Sequence, residues 1–500
     1  MNTDVSLPRL ALATLGAALF CLLVLLNVGG YRYGASDQAF YIPALLLHID
    51  PNLFPRDAGL LAAQDRLLLF DDAFGLLTRL TGWSIPNVFA TAYLAGLLLF
   101  FGASVMIGAA LYRSPWTIAA LVAALTLRHR ITATAVNTLE AYLHPRMLAF
   151  AVGLAAIAAL LRGRTRAALL LAVLAAFCHP TTALWWIISI GVAVAICDRQ
   201  LRRRLVVLAP VMLAGAAALL AGPFRDQLRV MDAPWLNLLA SRDYLFPHAW
   251  PLSAWAVNLG YTAIIAAGYR LRRRAGVTTP EETGLIAGCA VLFLIFCASV
   301  PLTTMRLALV VQLQANRVFW MLDLMASIYA IWMLAEGSWT RTAVVRPVIV
   351  AAVLTTAATA RGAYVMFVEH AGRPIVRTGL PDDDWRRAMD WIAETPIDAH
   401  VLADPGHAWR YGSSVRVAGR RDVYLEEVKD VAIAMYSRPV AQRVLHRIRD
   451  LPEFSSLSAA EARRLASVYD LDYLVTERAI DLPRVFASGR FSVYALSEQP

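Results

Sequence analysis

The sequence predicts a mainly α-helical, polytopic membrane protein with a small α/β domain at its C-terminal end. Three observations predict it. Of 500 residues, 59% are hydrophobic and only 16% charged, against roughly a quarter charged in soluble domains. Most of the apolar residues lie in long uninterrupted runs. Finally, Lys429 is the only lysine among 46 basic residues, and the arginines fall in short clusters between the runs, as loops on the positive side of a membrane do. The net charge of +10 therefore reflects membrane topology, and a nucleic-acid partner is excluded. Cys21, Cys178, Cys197, Cys289 and Cys297 have no paired spacing and read as small hydrophobes, not as a zinc site or a disulfide framework.

A bilayer-crossing helix needs about 20 mostly apolar residues. Residues 10–28, 88–111, 205–221, 254–268, 284–300, 318–335 and 347–367 meet that pattern. Between Pro115 and Cys197 there are four shorter runs, 115–127, 147–161, 167–177 and 181–196. They are broken at Arg128-His129-Arg130, His144-Pro145-Arg146 and Cys178-His179-Pro180. Either tight loops join four spans here, or broken helices place polar joints below the membrane surface around a cavity. Together the runs make about eleven spans. The first is long for a cleavable signal and lacks a small-x-small cleavage site, so it reads as a span.

Arg162/Arg164/Arg166, Arg199/Arg202/Arg203/Arg204 and Arg270/Arg272/Arg273/Arg274 fall on one side of this count, together with Arg9, Arg113, Arg341 and Arg346. That side is the cytoplasm. The N-terminus is then cytoplasmic, while segment 29–86 and everything after Phe367 face outward. In a bacterium this is a multi-pass inner (cytoplasmic) membrane protein with its tail in the periplasm. The expected division is a membrane domain, 1–369, and a periplasmic α/β domain, 370–500.

In the tail, Asp382-Asp383-Asp384 opens a helix at its positive N-terminal end. Trp385, Met389 and Ile392 follow at helical spacing, and Thr395-Pro396 ends it. Residues 400–403, 473–476 and 491–494 read as strands, and Ser458 with Glu461 forms a capping box. No glycine-rich phosphate loop follows a strand, which removes the basis for nucleotide binding.

The outward segment 29–86 is far longer than reconnecting two helices requires. Asp37 stands just beyond the first span, among Tyr33, Phe40 and Tyr41, aromatics that suit a membrane interface or a sugar face. Shielded there, its carboxyl is expected to have a raised pKa and to act as a general base; a solvated aspartate or a helix cap is the plainer reading. Asp50 and Asp57 look like turn and capping residues. Glu140, Tyr142, His144, Arg146 and His179 form a second polar group on the same side. His144 and His179 invite a metal pair, but no third ligand stands at a recognisable spacing. A divalent metal is thus unsupported, and no cofactor is implied. In Gln312–Trp320, Asn316 and Arg317 sit at the mouth of a span. A guanidinium there requires an anion: a lipid headgroup, Asp323, or the phosphate of a lipid-linked donor, gripped in bidentate fashion. Arg306 is a weaker second choice.

This arrangement resembles the GT-C superfamily of membrane glycosyltransferases, and in detail its bacterial members of unassigned substrate. The residues carrying the resemblance are Asp37-Gln38 with Tyr41, the stretch Asp50 to Asp57, His144-Pro145-Arg146, Cys178-His179-Pro180 and Asn316-Arg317. In the tail it is carried by Asp384-Trp385 through Trp391-Ile392, Thr395-Pro396 with Asp398-Ala399, Trp409-Arg410-Tyr411, Ser414-Val415-Arg416 and Lys429. The resemblance implies transfer of a sugar from a polyprenyl phosphate on the outer membrane face, the lipid entering between helices. It implies Asp37 as the catalytic carboxylate, an inverting attack on the anomeric carbon, and Arg317 as the holder of the leaving phosphate. Gln38, Tyr41, Asp57, His144, Arg146, His179 and Asn316 are the implied substrate-binding residues. Gln38 stands where some members have a second acid, and a tryptophan–aspartate signature for peptide acceptors is not evident. The expected acceptor is therefore an envelope or glycan component. Two rivals stand beside this reading: a catalytically inactive scaffold of a polysaccharide system, and a transporter or flippase.

Overall fold

The computed structural model describes residues 7–65, 68–337 and 345–497; Arg341, one of the orientation markers, lies outside them. All eleven apolar runs fall on helices. Among the described residues seven helices are long and apolar enough to cross a membrane: Leu10–Val28, Ile85–Leu111, Pro180–Cys197, Arg199–Ala221, Pro280–Thr304, Ala308–Ala335 and Val345–Glu369. Leu252–Arg274 is as long but less apolar, whereas Pro115–Thr126, Pro145–Leu161 and Thr165–Cys178 are shorter. The protein is a multi-pass membrane protein.

Local chemistry explains the breaks. Pro115, Pro145, Pro180 and Pro280 each begin a helix, where a missing N–H costs nothing. The residues before them (Ser114, His144, His179 and Thr279) each accept a hydrogen bond from a backbone N–H of the first turn. The two histidines that looked like a broken-helix signature are thus helix caps.

Small residues then let the helices close on each other, as they must where lipid gives no hydrophobic drive between helices. A Cβ on Gly284 would lie 2.6 Å from the Ala193 carbonyl oxygen, and one on Gly288 would lie 2.4 Å from that of Ser189. Gly153 faces the Trp186 indole just as closely, at 2.1 Å. Helix Arg199–Ala221 is different: it packs on Pro180–Cys197 but buries no residue.

At the arginine-rich end, Arg272 is not the free loop charge expected from its cluster. It is buried, donating from Nε to Glu282 Oε1 at 2.7 Å, from Nη2 to Oε2 at 3.0 Å, and from Nη1 to the Leu111 carbonyl at 2.9 Å. Tyr329 also donates to Glu282. This pair ties four helices together.

At the opposite end, helix Leu7–Val28 stops at Gly29-Gly30, both in the left-handed region. A Cβ on Gly30 would sit 2.8 Å from the Ile375 carbonyl oxygen. Glycine therefore admits the short parallel pair Tyr31–Arg32 with Val376–Arg377, which joins the exit of the first helix to the chain after the last. Segment 29–86 is folded, with helices Gln38–Ile49, Ala58–Asp65 and Phe70–Thr81.

Towards the C-terminus lies a five-stranded sheet in the order Asp422–Val423, His400–Leu402, Tyr473–Thr476, Phe491–Ala495, Arg484–Ser488. The first three are parallel and the last two pairings antiparallel. Helix Asp384–Glu394, capped by Asp383, and Ala459–Tyr469, with its Ser458/Glu461 capping box, are where the sequence puts them.

Replacing Glu282 with alanine leaves Arg272 buried without its counter-ion. Breaking such a pair costs about 3–5 kcal/mol, so Glu282→Ala is expected to melt many degrees lower in detergent. A melting temperature equal to wild type would show that the pair is not a structural tie.

Candidate functional site

Asp37 begins helix Gln38–Ile49, yet its side chain makes no cap. Ser36, immediately before it, is held at φ 53°, a conformation uncommon outside glycine, and this turn aims the carboxylate into a chamber. There Lys429 Nζ donates to Oδ1 at 2.6 Å and His144 Nε2 to Oδ2 at 3.0 Å. Arg146 Nη2 lies 3.5 Å from Oδ2, and the Tyr142 hydroxyl 3.5 Å from the same atom. His144 Nδ1 accepts from the Arg146 backbone N–H, which leaves the ring proton on Nε2, facing Asp37. Burial, then the Arg146 charge, pushes this imidazole down to about 3, so it donates as a neutral ring.

The raised pKa expected of Asp37 is not found. Burial acts to raise it, but the Lys429 charge, the His144 hydrogen bond and the Arg146 charge outweigh burial and hold the carboxyl well below the ordinary range. Its resting form is a fully ionised, ion-paired carboxylate.

The chamber has a volume of about 530 Å³. Among the described residues, seven basic side chains line it (Arg32, Arg128, Arg130, Arg146, Arg242, Arg317 and Lys429) against two carboxylates, Asp37 and Glu140. Glu140 is taken by Arg146 at 3.1 Å and by Asn137. Arg317 has no ion pair among the described residues, and its buried Nε has no hydrogen-bond partner. Asp323, the structural counter-ion considered for it, instead meets His129 Nδ1 at 2.9 Å. The chamber thus carries unneutralised positive charge, which calls for an anionic ligand.

Asp37, Tyr41, His144, Arg146, His179 and Arg317 all line this chamber. Three of the expected residues do not. Gln38 is fully buried, accepting from the Gly34 N–H and donating to the Leu143 carbonyl, so it fixes the turn that bears Asp37. Asn316 donates to the carbonyls of Ala133 and Tyr244, holding two loops of the chamber wall. Asp57 is a correction. It has no exposed surface, receives Arg416 Nε at 2.7 Å and is also paired with Arg443. Arg416, equally buried, forks onto Asp430 at 2.7 and 3.1 Å, while Asp422 accepts from the backbone of Arg56 and Asp57. A carboxylate so fully paired is a structural tie between segment 29–86 and the C-terminal part.

Sequence reasoning missed Lys429 as a site residue. Helix Glu427–Ala434 carries it, over the rings of Trp409 at 5.4 Å and Phe40 at 6.0 Å. Its signal was compositional: one lysine in a chain that uses arginine everywhere else. A second cavity, of about 620 Å³, adjoins the chamber at His179 and Tyr436 and is walled by Ala62, Ala63, Leu68, Phe224 and Trp235 among others. Among the described residues no three His, Cys, Asp or Glu side chains group as metal ligands do.

The fold and the site define a multi-pass membrane protein in which a sheet domain closes a cation-lined chamber at one end of a helical bundle. No protein-family model and no curated protein matches the chain. Among solved structures it is similar to the Archaeoglobus fulgidus oligosaccharyltransferase in its apo form, at 13% identity and a TM-score of 0.40. It is also similar to the archaeal oligosaccharyltransferase AglB from Archaeoglobus fulgidus in complex with an inhibitory peptide and a dolichol-phosphate, at 12% identity and a TM-score of 0.41. Each likeness covers 93% of this chain and 69% of the other.

The tie around Arg416 makes stability depend on pH. Burial, against the Arg416 charge, pushes Glu426 up to about 7, and burial with the Asp57 charge pushes Asp422 up to about 6. Between about pH 4.5 and 7 the folded chain therefore holds protons that the unfolded chain has released, so stability falls as pH rises through that window. Asp37 and Asp57, held low, act oppositely, and their contribution is lost only below about pH 4. The buried histidines His144, His400 and His407, pushed down to about 3, 4 and 4, act in the opposite sense below about pH 6.5, so the carboxylate contribution is read by difference. Relative to wild type, Glu426→Gln should gain stability at pH 7.5 compared with pH 5, and an unchanged pH dependence in that variant would contradict the assignment.

Proposed function

We propose that this protein is a GT-C-type membrane glycosyltransferase moving a sugar from a polyprenyl-phosphate donor to an envelope or glycan acceptor, with inversion. The transfer takes place on the outward face, the periplasmic side of a bacterial inner membrane. The observation that carries the reading is that an ionised carboxylate, Asp37, and an unneutralised guanidinium, Arg317, line one chamber. Breaking a glycosyl–phosphate bond needs an acceptor for the nucleophile's proton and a cation for the departing charge.

In the proposed step the acceptor hydroxyl oxygen attacks the anomeric carbon and the carbon–oxygen bond to phosphate breaks. The bonding pair leaves on the phosphate oxygen, neutralised by Arg317 and Arg146. The hydroxyl proton passes to Asp37. His144 holds the carboxylate in place through its Nε2–H, and Tyr41, stacked edge-on to His144 at 5.1 Å between centroids, gives the sugar an aromatic wall. The adjoining cavity, walled in part by Ala62, Ala63, Leu68, Phe224 and Trp235 and reaching the turn that follows helix Arg199–Ala221, supports approach of the polyprenyl chain from the membrane.

A second reading has a specific observation behind it. The ion pair of Asp37 with Lys429 is short and its ammonium is buried, as in a scaffold whose chamber serves only to join two parts of the chain. The Asp37→Asn variant separates the two. Amide and carboxylate are nearly the same shape, so the variant is expected to insert and fold, melting lower than wild type because buried Lys429 loses its counter-ion. On the transferase reading it loses sugar transfer from polyprenyl-phosphate donors by about 100-fold or more, the scale of general-base loss. Arg317→Ala should chiefly raise the donor concentration needed. Full transfer activity in Asp37→Asn would sink the mechanism.

A further inference from the structure

Away from Asp37 the chamber has a second group of cations that the transfer step does not use. Arg32 and Arg377 stand opposite each other in register on the parallel pair Tyr31–Arg32 and Val376–Arg377. Arg373 and His370 lie in the turn just before, joined by the Arg373 N–H donating to the His370 carbonyl. Three buried nitrogens of this group, Arg32 Nε, Arg373 Nη1 and Arg377 Nε, have no hydrogen-bond partner among the described residues. None of the three arginines forms an ion pair among the described residues, although Glu369 and Asp383 are near enough to influence His370 and Arg377.

Collecting guanidiniums without carboxylates is costly. The cost is visible on Arg32, which burial and then the charges of Arg373 and Arg377 push down to about 10. The fold nevertheless makes the group rigid. The Tyr31 N–H donates to the Ile375 carbonyl at 2.8 Å, and the Tyr33 N–H to that of Arg377 at 3.2 Å. The His370 ring packs on Gly29 so closely that a Cβ there would lie 2.5 Å from it. Forked donors fixed in advance, with orphaned N–H groups, suit an oxyanion with several acceptor oxygens. The group sits where helices Leu7–Val28 and Val345–Tyr364 end, and Arg32 and His370 also line the chamber.

We propose that Arg32, Arg373 and Arg377, with His370, form a binding site for a phosphate-type oxyanion, separate from the cations around Asp37. Its source is either a free or substrate-borne phosphate entering through the chamber, or the headgroup of an anionic lipid at the membrane boundary. The proposal does not depend on sugar transfer.

The test uses the full chain in nonionic detergent, in an Arg317→Gln background that weakens phosphate binding at the inner cations. Inorganic pyrophosphate is titrated in one arm and phosphatidylglycerol in mixed micelles in the other, with the melting temperature read in each. A ligand that binds the folded form must raise it. A rise with pyrophosphate assigns a free phosphate. A rise with phosphatidylglycerol alone assigns a headgroup. In both cases adding Arg32→Gln and Arg377→Gln should weaken apparent affinity by about tenfold or more, as loss of charge-assisted bonds does. Arg32→Lys with Arg377→Lys, which keeps the charge but loses the fork, should fall between. Without ligand, Arg373→Gln should melt no lower than its parent, because it relieves repulsion. No rise with either probe, or a rise that survives the double Gln substitution, overturns the proposal.

Discussion

A guanidinium shut away from water must find its counter-charge inside the protein, and Arg416 finds it on elements far apart in the chain. Asp430 takes one edge of its fork and Asp57 takes Nε. Asp57 belongs to the segment after the first helix, while Arg416 and Asp430 belong to the C-terminal part. Removing any of the three leaves a buried charge uncompensated, a far larger penalty than the net worth of the intact cluster. The cluster therefore acts as a positional constraint more than as a source of stability. One residue before Asp430, on the same short helix, is Lys429. Fixing Asp430 against Arg416 fixes Lys429 against Asp37.

Everything else about the chamber follows from that closure. The membrane helices contribute His144, Arg146, His179 and Arg317, and the loop after the first helix contributes Asp37. The sheet domain adds the last cation and the Trp409 ring beneath it. Taken alone, each charged group stands at the end of a helix or in a turn where a polar residue is ordinary. Brought together they leave several cations, Arg317 and Arg32 among them, without an ion pair among the described residues, and in a partly enclosed space that imbalance attracts anions more strongly than the same charges would on an open surface.

The architecture was largely legible in the sequence because hydrophobic length and arginine placement act locally. Each apolar run became a helix, and the tail's capping box and N-cap are set by neighbours within four residues. The strands Asp422–Val423 and Arg484–Ser488 and the helix Glu427–Ala434 were not read, being short, and the helix Arg438–Asp450 was passed over although Val440, Ala441 and Val444 recur on one face of it. The site was legible by type and not by partner. Asp37, His144, Arg146 and Arg317 could be picked out as polar groups at the ends of apolar runs, but the sign of the pKa shift on Asp37 could not. That sign is set by Lys429, 392 residues away, and proximity across such a distance leaves no trace in local pattern. Asp57 was misread for the same reason, since a buried salt-bridge member and a ligand-facing aspartate have the same sequence appearance. Arg272 looked like a loop charge because nothing near it announces Glu282 as a partner.

A carboxylate held this far towards its ionised form is a poor base on the usual argument that a base should titrate near working pH. Two features reconcile it with the proposed transfer. In a reaction where the carbon–oxygen bond to phosphate is largely broken before the new bond forms, the acceptor hydroxyl becomes acidic only as it bonds to the sugar, so a weak base placed correctly suffices. The second feature is the arrangement itself. Lys429 supplies the largest single lowering, and on the proposed function an anionic donor phosphate entering the chamber would compete for the same ammonium. As the phosphate drew positive charge towards itself, the hold on Asp37 would weaken and its basicity rise. Donor binding would then prime the base that consumes it, through a lysine delivered by the sheet domain, which explains in one electrostatic step why the domain is fastened so firmly to the loop that carries Asp37.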